Sequence, residues 1–127
     1  RIRRVGAPGL DGIRGDAAPR EAIRALVGDE DFALLVLHPE TSSDRDEGRK
    51  AKLLLGATLA SFPRVVIVDP NSDPGAAGIV AAWHGAKDAR LTRLTHADRA
   101  TFLGLLRECR LLVGNSSSGI IEAASFG

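Results

Sequence analysis

The sequence lacks several features that would assign it to a special class of protein. It has one cysteine, Cys109, so no internal disulfide can form. No apolar run approaches the ~20 residues of a membrane-spanning helix, and the basic residues 1–4 are not followed by the apolar core of a signal peptide. Neither charge sign dominates, with 17 Lys and Arg against 16 Asp and Glu, which predicts no nucleic-acid or membrane partner. These features are typical of a cytoplasmic globular protein.

Several catalytic and binding motifs are also absent. There is no Gly-x-x-x-x-Gly-Lys phosphate loop, no Gly-x-Gly-x-x-Gly after a first strand, and no His or Cys cluster with metal-ligand spacing. Residues 114–118 lack the last glycine of a Gly-x-Ser-x-Gly nucleophile elbow, although residue types alone leave a Ser-His-Asp hydrolase open. Cys109 falls in an amphipathic pattern with Phe102 and Leu105, which predicts a buried, unreactive thiol.

What is present is an alternation of apolar runs and helix-like stretches in a chain of 127 residues, the size of one domain. Continuous apolar runs predict buried strands at residues 33–37, 65–68 and 111–113. Weaker candidates are an edge strand at 90–94 and a further strand at 2–6. Helical patterns begin near Ala18, with Asp16 as the N-cap and Pro19 in the first turn, and recur at 47–61, 76–82, 98–107 and 120–126. Strands separated by helices predict a parallel α/β sheet.

Polar loops follow four of the strand candidates, those at residues 33–37, 65–68, 90–94 and 111–113. They lie at residues 38–41, 69–75, 95–96 and 114–119. In parallel α/β sheets, ligands bind outside the carboxyl ends of the strands. The sequence therefore predicts one ligand site built from these four loops.

The most informative loop is the serine-rich run at 114–119, which is read as a tight turn between a strand and a helix. Hydroxyl groups and free N–H groups at a helix N-terminus favour an anion such as a phosphate. Glu122, one turn further on, is placed to accept hydrogen bonds from a ribose diol. The alternative is a plain capped helix, in which Asn115 or a serine satisfies the free N–H groups.

The two histidines that follow strands are candidates for binding or catalysis. His38, at the tip of a buried strand, can donate to a phosphate oxygen or protonate a leaving phosphate, or it can simply cap the loop before Pro39. His96 follows the weaker strand and is equally readable as an exposed loop residue. Residues 69–75 are rich in turn formers and can be no more than a turn. His84 is interpreted as a surface residue near a helix end.

Three of these segments together resemble one enzyme family. The serine run, the His-Pro-Glu-Thr run at 38–41 and the Pro-Asn-x-Asp-x-Gly loop at 70–75 are similar to motifs of the UDP-N-acetylglucosamine 2-epimerases, particularly the hydrolysing branch that makes N-acetylmannosamine for sialic-acid-type sugars. The non-hydrolysing relatives typically carry an Arg-rich continuation after the histidine. The resemblance covers residues 5–127, with one departure: Ala76, Ala77 and Gly78 stand where relatives often have a basic residue.

The resemblance implies a fold and a place in a larger enzyme. The fold is a three-layer, Rossmann-like α/β sheet that forms part of a glycosyltransferase-B-like two-domain enzyme. Residues 1–127 would be one truncated nucleotide-binding domain, without the amino-terminal catalytic half and the final strand and helix. The full-length protein would be a homodimer. Because the family's proton-moving carboxylates belong mostly to the other domain, these 127 residues are expected to bind UDP weakly and not to turn over substrate.

The resemblance also implies a reaction and a set of site residues. UDP is eliminated across the sugar C1–C2 bond, and water then adds to the glycal; neither a metal nor a redox cofactor is required. His38 is the implied catalytic residue, contacting the phosphate and assisting its departure. The residues implied to bind the UDP-sugar are Asn71, Asp73, His96, Ser116, Ser117, Ser118, Gly119 and Glu122.

Two other functions fit the same residues. One is the donor-binding domain of a glycosyltransferase with the same overall fold, and the other is a non-enzymatic Rossmann-like interaction module. The choice between UDP and GDP and the substituents of the sugar stay open, because no base-reading residue is identified.

Overall fold

The computed structural model describes residues 1–127, and its strands form one four-stranded, all-parallel sheet. The strands are β1 (Phe32–Val36), β2 (Arg64–Val68), β3 (Leu91–Leu94) and β4 (Leu111–Gly114), arranged in the order β3-β2-β1-β4. The register places Val36 beside Val68 on one side and Gly114 on the other. The predicted parallel α/β sheet is confirmed, and β3 is an edge strand, as its weak pattern predicted.

Six helices connect or flank the strands. They are α1 (Ile13–Asp16), α2 (Arg20–Val27), α3 (Asp44–Ser61), α4 (Ala76–His84), α5 (Arg99–Glu108) and α6 (Ser118–Ile121), with 3-10 turns at Pro8–Leu10 and Ala123–Ser125. α3 begins at Asp44 because the Ser43 hydroxyl accepts the amide of Asp46 at 3.3 Å, a standard N-cap. None of these helices combines the length and the apolar character that crossing a bilayer requires.

Two apolar clusters, one on each face of the sheet, make the fold three-layered. On one face, α2 and α5 pack on β1 and β2. On the other face, α3 and α4 cover the alternate residues of the same two strands, with Trp83 fully buried at their centre. Because β1 and β2 are covered on both faces, they read as continuous apolar runs. The three-layer, Rossmann-like fold class is therefore confirmed.

Several local predictions are wrong. Residues 2–6 form no strand. Asp16 does not cap the helix that follows, because it belongs to α1, and α2 begins after Pro19 with no side-chain cap. The helix predicted at 47–61 starts three residues earlier, and the stretch at 120–126 is divided between the short α6 and a 3-10 turn.

The prediction for Cys109 is partly confirmed. The residue is half-buried rather than buried, and its thiol lies 3.4 Å from the carbonyl oxygen of Leu106. Burial raises the pKa of the thiol to about 11. The group is therefore protonated and unreactive at neutral pH.

Candidate functional site

The carboxyl ends of the four strands lie at one edge of the sheet because all of the strands are parallel. The loops predicted to form the site, at 38–41, 69–75, 95–96 and 114–119, all leave the sheet at this edge. β1 lies between β2 and β4, so the His38 loop is flanked by the Pro-Asn loop and by the serine turn.

Gly114 allows the serine turn to start close against β1. Its φ of +134° is accessible to glycine and strained for other residues. A Cβ at this position would also collide with the carbonyl oxygen of Val36 on the paired strand. The glycine therefore brings residues 115–118 beside the end of β1.

Asn115 joins the serine turn to the His38 loop by two hydrogen bonds. Its Oδ1 accepts the main-chain amide of His38 at 2.8 Å, and its Nδ2 donates to the His38 carbonyl oxygen at 2.9 Å. The side-chain amide thus replaces a strand residue and continues the β1–β4 ladder by one step. The interpretation of Asn115 as a helix cap is wrong, and its positioning role was not predicted.

The serine turn leaves several hydrogen-bond donors free. α6 has only one turn, and Ser117 at its N-cap makes no side-chain cap bond. The main-chain amide of Ser118 contacts the Ser116 hydroxyl at 3.4 Å, whereas those of Ser116 and Ser117 donate to no group of the chain. The hydroxyls of Ser117 and Ser118 make no hydrogen bond within the chain, and the Ser116 hydroxyl keeps its O–H donor, so this turn can still offer hydroxyl donors to a ligand.

His38 is held by its main chain rather than by its ring. The residue is half-buried, and its ring Nδ1 is buried without a hydrogen-bond partner. Both main-chain polar groups are bonded to Asn115. The ring is therefore free to interact with a ligand from a fixed backbone.

Glu122 lies beside an arginine. Its Oε1 is 3.7 Å from Nη1 of Arg99, which is in the first turn of α5, and the Glu122 side chain is 20% exposed. A ribose diol at this carboxylate would have to share it with, or displace, the guanidinium. Gly119 is the second residue of α6, and a Cβ there would be 3.1 Å from the side chain of Leu112.

The Pro-Asn loop is exposed, and its two candidate residues bind each other. The Asn71 Nδ2 donates to Asp73 Oδ2 at 2.7 Å. At the start of the same loop, the buried Asp69 carboxylate contacts the Nε2 of His84 at 2.8 Å. This His–Asp pair was not predicted, because residues 69 and 84 are joined only when α4 folds back on β2.

His96 is a candidate that the structure leaves without a hydrogen-bond partner for its side chain. It is exposed, and its side chain makes no hydrogen bond within the chain. Asp98, two residues later, caps α5 by accepting the Thr101 amide at 2.7 Å, and this bond lowers the pKa of Asp98. Nothing in the geometry distinguishes His96 from an exposed loop histidine.

A buried carboxylate behind the His38 loop was also missed. Glu47 has 0% exposure and accepts hydrogen bonds from Thr41 and Lys50. The Lys50 ammonium, followed by these Thr41 bonds, lowers the pKa of Glu47. A signal was present, since Glu47 shares the helical spacing of Ala51 and Leu55, the buried face of α3.

The candidate site is an open edge rather than an enclosed cavity. A cavity of about 530 Å³ lies between α3 and α4 and is lined by Arg45, Arg49 and Lys52 among others. It contains none of the predicted site residues. No group of three or more His, Cys, Asp or Glu side chains is placed to hold a metal ion.

A parallel sheet with half-buried histidine and serine loops at its carboxyl edge defines a Rossmann-like domain, a class that binds ligands at this edge. Comparison with known proteins then gives the family. The family model for UDP-N-acetylglucosamine 2-epimerase matches residues 1–127, so the chain belongs to the UDP-N-acetylglucosamine 2-epimerase family.

Two curated relatives are similar over almost the whole chain. The UDP-N,N'-diacetylbacillosamine 2-epimerase (hydrolyzing) of Legionella pneumophila subsp. pneumophila is 33% identical, over 98% of this chain and 34% of the relative. The UDP-N-acetylglucosamine 2-epimerase of Neisseria meningitidis serogroup B is 26% identical, over 99% of this chain and 34% of the relative. The chain therefore spans about a third of the length of these relatives.

Proposed function

We propose that this chain is the nucleotide-sugar-binding portion of a hydrolysing UDP-N-acetylglucosamine 2-epimerase. The observation that carries the proposal is the group of free donors at the serine turn. Two main-chain N–H groups and the hydroxyls of Ser117 and Ser118 are unpartnered there, and Asn115 binds the same turn to the main chain of His38. Unpaired donors clustered in one turn can form charge-assisted hydrogen bonds to the oxygens of a diphosphate.

In the proposed reaction, the C2 proton of the sugar is removed and the bond from C1 to the β-phosphate oxygen breaks. The electron pair of that bond leaves with UDP. Water then adds across the glycal to give N-acetylmannosamine. Ser116, Ser117 and Ser118 hold the diphosphate, and His38 donates a hydrogen bond or a proton to the departing oxygen. Glu122 accepts the ribose hydroxyls after release from Arg99.

The hydrolysing outcome is supported by two observations. The His-Pro-Glu-Thr run at 38–41 lacks the Arg-rich continuation typical of non-hydrolysing relatives. The relative with 33% identity is itself named as a hydrolyzing enzyme, which acts on a UDP-diacetylbacillosamine. The N-acetyl sugar is proposed from the family, and the substituents of this chain's own substrate are a separate question.

Titration calorimetry with UDP tests the proposal, with GDP as the competing nucleotide. UDP is expected to bind, and Ser117→Ala is expected to weaken binding because one of the free hydroxyl donors is lost. Glu122→Ala is expected to weaken the binding of UDP but to leave the binding of inorganic diphosphate unchanged, since diphosphate has no ribose. No heat with UDP, or equal binding by the wild-type chain and both variants, would contradict the assignment of the site.

A further inference from the structure

Glu47 connects the start of α3 to the loop that carries His38. Its Oε1 accepts three hydrogen bonds: the Thr41 amide at 3.0 Å, the Thr41 hydroxyl at 2.9 Å and the Lys50 ammonium at 2.9 Å. Lys50 also donates to Glu40 Oε2 at 3.0 Å. Both Glu40 and Thr41 belong to the His-Pro-Glu-Thr run, so one buried carboxylate and one lysine bind this run from behind.

The loop after β2 meets the same point. Gly75 has a φ of +94°, and a Cβ there would collide with the Thr41 carbonyl oxygen. The same Cβ would lie 3.1 Å from the Pro39 side chain and 3.2 Å from Glu47 Cγ. The end of the Pro-Asn loop is therefore packed against the His38 loop with Glu47 between them, and only glycine fits.

The hydrogen bonds of the buried Glu47 carboxylate are incomplete. The Glu47 side chain is fully buried, and its second oxygen, Oε2, is buried without a hydrogen-bond partner. Burying a charge whose hydrogen bonds are incomplete is unfavourable, and an apolar residue would suit the neighbouring Ala51 and Leu55 better. Local conflicts of this kind are expected where a residue serves a functional site.

The short His38 loop is thus fixed at both ends. Asn115 bonds the main chain of His38 at one end, and Glu47 bonds Thr41 at the other. Only Pro39 and Glu40 separate the two anchors, and Pro39 has a restricted φ. Without the bonds from Glu47, residues 39–41 would be held only at His38 and by their contact with Gly75, and the backbone angles that set where the His38 ring points would be less restricted.

We infer that Glu47 is a positioning residue, which sets the orientation of His38 relative to the serine turn by anchoring Thr41 and Lys50; this inference rests on the proposed function. Glu47 does not reach the ligand, since its side chain is fully buried. Its proposed action passes through its hydrogen bonds to the His38 loop.

The test compares Glu47→Gln with the matched control Glu30→Gln in the 127-residue chain. Glu30 is an exposed glutamate that pairs only with Arg64. Two properties are measured at pH 7.5: the NMR signals of the His38 ring and the Thr41 amide, and the dissociation constant for UDP. In Glu47→Gln, the His38 ring signals are expected to move, and the dissociation constant for UDP is expected to rise about fivefold to tenfold. This factor corresponds to part of the free energy of one charge-assisted hydrogen bond, because the loss at Thr41 reaches the ligand only through the loop. Glu30→Gln is expected to change neither.

The outcomes separate this inference from the proposed function. If the wild-type chain does not bind UDP, the proposed function fails, and the His38 and Thr41 signals alone decide the role of Glu47. Unchanged His38 ring signals in a folded Glu47→Gln chain would overturn the inference, whatever the affinity. If Glu47→Gln does not fold, Thr41→Val is measured instead, because it removes only the hydroxyl donor to Glu47. The His38 signals are then expected to shift by a smaller amount. No shift of these signals would overturn the inference.

Discussion

Asn115 uses both ends of its side-chain amide on the main chain of a single residue, His38. An amide carries one acceptor and one donor group at the spacing of a peptide unit, so it can replace the next residue of a β-ladder. This match explains why an asparagine, rather than a fourth serine, precedes the serine run. The histidine loop is therefore held by a side chain of the serine turn.

Replacing Asn115 with alanine is expected to destabilise the fold and to weaken UDP binding. Two hydrogen bonds are lost and the His38 main chain loses its partners, which costs about 1–2 kcal/mol at this exposed position. Urea unfolding, followed by the fluorescence of the single, buried Trp83, measures the change. The control is Asn71→Ala, because the Asn71 amide contacts only the neighbouring Asp73. Equal stability of the two variants would contradict the role given to Asn115.

For single residues, the sequence predicted where the polar side chains lie but not which groups they bind. The loops that hold His38, Asn71 and Ser116 follow from the rule for strand ends, which needs only local pattern. The bonds between residues 38 and 115 join positions 77 apart, and the pair of residues 69 and 84 depends on how α4 packs. Such partners are set by the tertiary fold, and residue type alone does not specify them.

Among the elements, the contact of β4 with β1 depends most on one residue type. Gly114→Ala would require a positive φ and a collision with the Val36 carbonyl oxygen, so the end of β4 would have to move. The expected loss is more than about 2 kcal/mol, combining backbone strain and displaced pairing. Gly119→Ala is the control, since its φ is ordinary and its Cβ would only touch the Leu112 side chain at 3.1 Å. Urea midpoints that are equal in the two variants would contradict this account.

The start of β3 is fixed by an ion pair that should make stability depend on pH. Arg90 binds the Asp88 carboxylate at 2.8 Å and also donates to the Leu59 carbonyl oxygen at the end of α3. The Arg90 guanidinium lowers the pKa of Asp88 to about 2. In the unfolded chain the value is about 3.9, so the contribution is fully present above that pH and is lost as the pH falls towards 2.

The prediction is that the urea-midpoint difference between the wild-type chain and Asp88→Asn is largest near neutral pH and narrows between pH 4 and pH 2. Asp29→Asn is the matched control, because Asp29 is exposed and lies 3.7 Å from Arg24. A difference that stays constant from pH 7 to pH 2 would show that the Asp88–Arg90 pair does not act as described.

Element boundaries were the least predictable part of the secondary structure. The pattern of apolar residues located α3, but its first turn is polar and was missed, because the cap at Ser43 was not predicted. The start of α2 was misjudged because an aspartate near a proline resembles a cap, whereas Asp16 is already inside α1. A capping side chain is identified by its hydrogen bond, which the sequence does not reveal.

At the scale of the whole molecule, the layered α/β architecture was predictable and the strand order was not. Buried runs such as residues 33–37 and 65–68 require cover on both faces, and α2, α3, α4 and α5 supply it. The placement of β4 next to β1 depends on the crossover by α5 and on close packing at Gly114. These are long-range contacts without a local sequence signature.

The chain spans about a third of its curated relatives, and catalysis is predicted to need residues beyond it. The 127 residues are expected to bind UDP without releasing N-acetylmannosamine from UDP-N-acetylglucosamine, because the family resemblance implies that the carboxylates that move the sugar C2 proton belong mostly to the other domain. A chromatographic assay of the sugar product, with a full-length relative as the positive control, measures this. Catalytic release of N-acetylmannosamine by the 127 residues alone would contradict the prediction that catalysis needs residues outside this chain.

The most direct test of the central claim is to map UDP onto the chain by amide NMR. The proposed site predicts that UDP shifts the signals of His38, Asn115 and the serine turn, whereas those of the cavity residues Arg45 and Arg49 stay in place. GDP, titrated in the same way, shows whether the site distinguishes the two bases. Shifts centred on the cavity between α3 and α4, or none at the serine turn at saturating UDP, would contradict a nucleotide-sugar site at the carboxyl edge of this sheet.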